Sequence, residues 1–131
     1  MVVGLAAEVP VLLLEPDERA PGCARRFVAG RFRELGVADD YVGRLVVTEL
    51  VTNSYKHSGT SFIVVRVFRD ERDGLVVLEV WDQGDEMPVV QDPGPGAVGG
   101  RGLLLMSALV VEWGVRPLNE VGKIVWARCR A

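Results

Sequence analysis

The sequence predicts an α+β protein: a two-layer α/β sandwich in which one mixed sheet is covered by helices on one face. Three observations lead there. Apolar residues recur at helical spacing in two adjacent segments, β-rich runs flank them, and the order along the chain is β-α-α-β-β-loop-α-β-β. The 131 residues contain no internal repeat and no linker long enough to divide them, so a single domain over 1-131 is expected.

Each element has its own local reason. Val9 to Leu14 is a short β-like run. From Arg19 to Leu35 the pattern is helical, with Ala24, Phe27, Val28, Phe32 and Leu35 about one turn apart and Gly36 as the stop. Asp39 or Asp40 offers an N-cap for a second helix, which runs from Tyr41 through Leu45 and Leu50 to His57 and stops at Ser58-Gly59. Ser61 to Arg69 and Leu75 to Trp81 read as strands, joined by the polar, glycine-ended hairpin loop Asp70 to Gly74. A loop rich in Gly and Pro follows, from Gln83 to Gly102. A short apolar helix, Leu103 to Leu109, then leads to closing strands at Val111 to Arg116 and Lys123 to Arg128.

Composition narrows the function classes. Hydrophobic residues at 49% and charged ones at 25% are the profile of a globular protein. A formal net charge of -3 argues against direct nucleic-acid binding, which needs a basic footprint. Cys23 and Cys129 form no C-x-x-C unit, so a disulfide framework or thiolate metal site is not expected and a reducing cytoplasm is. His57 is the sole histidine, which removes most zinc sites. The apolar stretch Met1 to Leu14 lacks the basic start and cleavage pattern of a signal peptide, and no run approaches the roughly 20 apolar residues a bilayer requires. No membrane association is expected.

Three places carry chemistry. On the second helix, Glu49, Asn53 and Lys56 share one stripe, which continues towards the N-terminus as Val46 and Val42. A carboxylate can accept a proton, an amide oxygen suits Mg²⁺, and an ammonium can meet phosphate. The same residues also fit a solvated helix end, with Lys56 and His57 against the C-terminal dipole. Asp82 and Gly84 follow a hydrophobic strand: the carboxylate can accept from an exocyclic amine such as adenine's, and the glycine can let backbone approach a flat ring. An ordinary turn is the competing account. Gly99-Gly100-Arg101-Gly102-Leu103 enters a helix, where free amides and a guanidinium can hold phosphate, although a merely flexible connection would look similar. The lysine and hydroxyl of a P-loop are absent, and no βαβ unit precedes the loop as a Rossmann fingerprint demands.

Taken together, Glu49-x-x-x-Asn53 resembles the N box of the GHKL ATPase superfamily, Asp82-x-Gly84 its first glycine box and Gly100-x-Gly102 its second. The run Glu49-Leu-Val-Thr-Asn-Ser-Tyr-Lys-His-Ser58 is similar to the version in anti-sigma-factor serine/threonine kinases, and Gly122-Lys123-Ile124-Val125-Trp126 resembles their closing strand. The resemblance implies a Bergerat-type histidine-kinase-like fold binding ATP and Mg²⁺. It assigns the metal to Asn53 and the adenine amino group to Asp82, with Gly84 beside it among the nucleotide-binding residues. Gly100, Arg101 and Gly102 would meet the triphosphate beneath a lid at residues 85 to 99, and Lys56, His57 and Leu103 are counted among the nucleotide-binding residues. Two residues depart from the pattern. Glu86 stands where a second glycine is frequent, and Ile124 where a threonine hydroxyl helps bind adenine, a loss of about 1 kcal/mol.

No dimerisation helix with a phosphoacceptor histidine precedes Ala20, which fits a stand-alone domain of the kinase type. The resemblance then implies a cytoplasmic protein serine kinase. Its catalytic base is Glu49, its substrate a small anti-sigma-factor antagonist, and its second partner a sigma factor held inactive. Homodimers are frequent among such relatives. The alternative from another class is a non-catalytic module that senses ATP while gripping the same kind of partner.

Overall fold

The computed structural model describes residues 2–6, 9–84, 101–118 and 121–131. Nine elements follow one another: β1 (Val2–Ala6), β2 (Val9–Leu14), α1 (Ala20–Glu34), α2 (Tyr41–His57), β3 (Ile63–Arg69), β4 (Val76–Asp82), α3 (Arg101–Leu109), β5 (Glu112–Pro117) and β6 (Lys123–Cys129). They form an α+β sandwich whose six-stranded sheet has the order β1-β2-β3-β4-β6-β5.

The sheet corrects one expectation. It is antiparallel at every described pairing rather than mixed. The connections explain this. Two helices between β2 and β3 return the chain to the end it left, so β3 must run against β2. The single helix α3 does carry the chain back to start β5 parallel to β4, but β6 inserts between them and pairs antiparallel with both. A second difference is β1, which pairs with β2 as a hairpin although its sequence shows no clear alternation. Pro10 is accommodated because β3 pairs only with Val11 to Leu14.

One face of the sheet is the core. Ile63, Val65 and Val67 on β3, Val76, Leu78 and Val80 on β4, and Val125, Ala127 and Cys129 on β6 alternate inward with period two, all buried. They meet Ala24, Val28 and Phe32 of α1, Val46, Val47, Leu50 and Val51 of α2, and Leu103 and Met106 of α3. Arg31 is also drawn in, donating from its guanidinium to the carbonyl of Val67 at 2.8 Å and so fastening α1 to β3. Both expected helix stops hold: Gly36 and Gly59 take φ of 75° and 65°. The N-cap expectation holds in place but not in mechanism. Asp40 occupies the cap without a side-chain cap bond, because its carboxylate accepts from Arg44 at 2.9 Å. Asp39 instead accepts from the Tyr41 amide at 3.0 Å.

The opposite face carries Phe62, Val64, Trp81 and Ile124 around a groove of about 380 Å³, with the Phe62 and Trp81 rings 5.0 Å apart. Arg66 and Glu79 cross its floor as an ion pair at 2.6 Å.

Candidate functional site

The centre of the described site is the carboxylate of Asp82, at the last residue of β4 and 1% exposed. Three donors close on it. The Ser54 hydroxyl donates to Oδ2 at 2.6 Å, the Lys123 ammonium to Oδ1 at 2.7 Å, and the Gly84 amide to Oδ1 at 2.9 Å. Lys123 is 5% exposed and starts β6 directly opposite Asp82 in the register. A buried carboxylate persists as a charge only when it is paired and hydrogen-bonded in this way.

Local sequence explains the convergence. On α2, Gly43, Val46, Val47, Leu50, Val51 and Ser54 form the buried face, so Ser54 is the core stripe's last position and points at the end of β4. Lys123 belongs to the inward set of β6, in phase with Val125 and Ala127. The two flanking glycines are consumed by backbone packing. A Cβ on Gly84 would come 2.6 Å from Cβ of Ser58, and one on Gly122 (φ +96°) would come 2.3 Å from the carbonyl oxygen of Asp82. The missing side chain at Gly84 is therefore needed for the close approach of its backbone to the end of α2. Nearby, Gln83 locks the turn: its side-chain oxygen accepts from the Ser61 backbone amide at 2.6 Å, and its backbone N–H donates to the Thr60 hydroxyl at 3.0 Å.

The helical stripe behaves as its spacing implies. Val46 is fully buried, Val42, Glu49 and Asn53 are half-buried, and Lys56 and His57 stand exposed in the last turn. Burial raises the pKa of Glu49 above the ordinary carboxylate range, with the Lys56 ammonium opposing the shift. A carboxyl so placed is a better proton acceptor near neutral pH than an exposed one. Among the described residues no group of three His, Cys, Asp or Glu stands ready for a metal. A Mg²⁺ at Asn53 would thus take most of its oxygens from a bound phosphate and water.

Other expected residues fall elsewhere. Arg101 and Gly102 begin α3, two residues before the expected start. Leu103 is buried in the core, so only its backbone is free to serve a ligand. Gly100, Glu86 and the lid at 85–99 lie outside the described residues. Ile124 is not beside Asp82: its side chain lines the groove on the opposite face, and Lys123 holds the position facing the carboxylate. Sequence reasoning also missed Ser54 and Lys123 as partners of Asp82. Ser54 could have been found as a hydroxyl in phase with the buried face of α2. Lys123 could have been found as a lysine in phase with inward-facing Val125 and Ala127. Cys129 is buried beyond reach of such chemistry, its thiol pushed up to about 11.

The family model for the histidine kinase-like ATPase domain matches residues 14–129, and the chain belongs to that family. No curated protein matches the chain. No helix among the described residues is long and apolar enough to cross a membrane.

The residues fit the family's nucleotide in part. Glu49 and Asn53 share one helix flank, where the amide oxygen could meet a phosphate-bound Mg²⁺ and the carboxylate could accept a proton. Asp82 does not fit as it stands, because its carboxylate is shut from solvent and already held by an ammonium, a hydroxyl and an amide.

Proposed function

We propose that this chain is a cytoplasmic regulatory protein of the anti-sigma-factor kinase type, which binds ATP with Mg²⁺ and phosphorylates a serine of a small antagonist protein. Its other partner is a sigma factor, held inactive while bound. The observation that carries the reading is Glu49: a half-buried carboxylate of raised pKa, one helical turn before Asn53, in a chain of the histidine kinase-like ATPase family. Glu49 takes the proton of the incoming serine hydroxyl, Asn53 offers its amide oxygen to the metal, and Lys56 supplies positive charge at the end of the helix.

Glu49→Gln keeps the shape of the side chain and removes its basicity. With the partner isolated by pull-down, the variant is expected to keep Mg-ATP affinity while phosphotransfer at saturating ATP falls by roughly 10²–10⁴. Equal transfer by wild type and variant would remove Glu49 from the chemistry. Wild-type protein that binds both ATP and partner yet transfers nothing would establish the second reading, a non-catalytic module. The closed Lys123–Asp82 pair bears on both readings alike, because each needs the nucleotide to enter.

A further inference from the structure

We infer that Lys123 competes with the nucleotide base for Asp82, and so holds the base end of the site shut in the free protein. This rests on the nucleotide reading above and concerns the residues that regulate it. An exocyclic amine and an ammonium offer the same thing to a carboxylate, an N–H donor. The ammonium adds a full charge, and away from water a charge-assisted bond outweighs a neutral one. Lys123 makes that bond at 2.7 Å, with the two side chains 6% and 2% exposed.

Space points the same way. The backbone at Gly84 lies against Ser58 and the backbone at Gly122 lies against the Asp82 carbonyl, each too close to admit even a methyl group. The Ser54 hydroxyl covers the other carboxylate oxygen. A base can reach Asp82 only when Lys123 swings away, and among the described residues the ammonium's other acceptor is the Gly84 carbonyl at 3.5 Å. Moving the ammonium leaves a buried charge short of its partner, so affinity for an amine-bearing base falls and so does selectivity for the amine.

The test titrates folded wild-type protein with Mg-ATP and with the magnesium complex of purine riboside triphosphate, which lacks the exocyclic amine. The same titrations follow on Lys123→Thr and Lys123→Gln, with folding checked by circular dichroism. The wild type is expected to bind the two nucleotides within about threefold of each other, and Lys123→Thr to bind Mg-ATP at least about tenfold more tightly than wild type. A wild-type preference for ATP of about tenfold or more overturns the inference, because Asp82 then reads the amine past Lys123. So does a folded variant that binds ATP no better than wild type. Either result leaves the nucleotide reading standing. Absence of nucleotide binding from wild type and variants alike overturns both. Should the variants fail to fold, wild-type selectivity alone decides: parity sustains the inference and preference for ATP overturns it.

Discussion

The β4–β6 ladder carries an acid–base cluster at each end, and the two ends are built on opposite principles. At one, Asp82 and Lys123 form a single ion pair, with Ser54 and Gly84 completing the carboxylate's bonds. At the other, the Arg128 guanidinium lies between Asp70 and Asp73 with Glu112 also within 2.9 Å, and Asp70 further holds Arg72 at 2.7 Å. There the acidic side chains reach exposures of 41% and 57% at Asp73 and Glu112. The first end is dry and has one partner for each charge. The second is wetter at its rim, although Arg128 and Asp70 are themselves 13% and 12% exposed, and those two central charges have more than one partner each. A network of the second kind loses little when one member goes, since water and the remaining partners take over. A pair of the first kind has no substitute. Its desolvation is met by a single opposite charge with two neutral donors beside it, so loss of the ammonium strands the carboxylate.

Deleting a cation from each end gives the largest expected contrast. Lys123→Met keeps the volume and strands a buried carboxylate, which should cost about 3–5 kcal/mol in urea unfolding. Arg128→Met should cost less than half as much, with a loss that shrinks further as salt is added. Equal losses would mean that the two ends are not different in kind. Ser54→Ala sharpens the dry end from its other side. It removes one donor from a buried charged acceptor and should destabilise by about 1.5–3 kcal/mol, measured the same way. No change would mean that water replaces the hydroxyl and that the site is open.

The smallest effect belongs to the wet end and to acid. Hydrogen bonds from Arg72, then from Arg128, hold the Asp70 carboxyl well below the usual carboxylate range. The unfolded chain therefore binds this proton more readily than the folded one. Stability from Asp70 is fully present above the unfolded value of about 3.9 and is lost as pH falls towards the depressed folded one. Asp70→Asn should melt below wild type at neutral pH, and the gap should close below about pH 4. A gap that stays constant to acid would show that the carboxylate's charge contributes nothing there.

The two ends also differ in how far they were legible. Asp70 to Gly74 announces a hairpin by composition, and the hairpin is there, with Asp70 and Leu75 bonded across it and Gly74 at φ 76°. Local turn chemistry suffices for that, because every determinant lies within a few residues. Asp82 was legible as a special residue, and so was the Glu49-Asn53 stripe, since a carboxylate after a buried strand and a polar end to an apolar helical face are visible in one dimension. What holds Asp82 was not. Lys123 lies 41 positions away and Ser54 lies 28 positions away, and the local phase that marks each as inward-facing does not name the acid it meets.

By itself, then, the sequence determined the periodicities, hence two helices, three central strands and which face of each is apolar. It also determined the family's motifs, because these depend on residue types at fixed short spacings. Only the tertiary structure decided strand order, register and neighbours. Register sets whether Lys123 or Ile124 faces the helices, and a slip of one residue would exchange them. That choice turns a residue that reads as a surface lysine into the buried partner of Asp82. Its physical origin is the two-residue period of a strand, read against a partner the chain reaches only after a helix and another strand have been laid down.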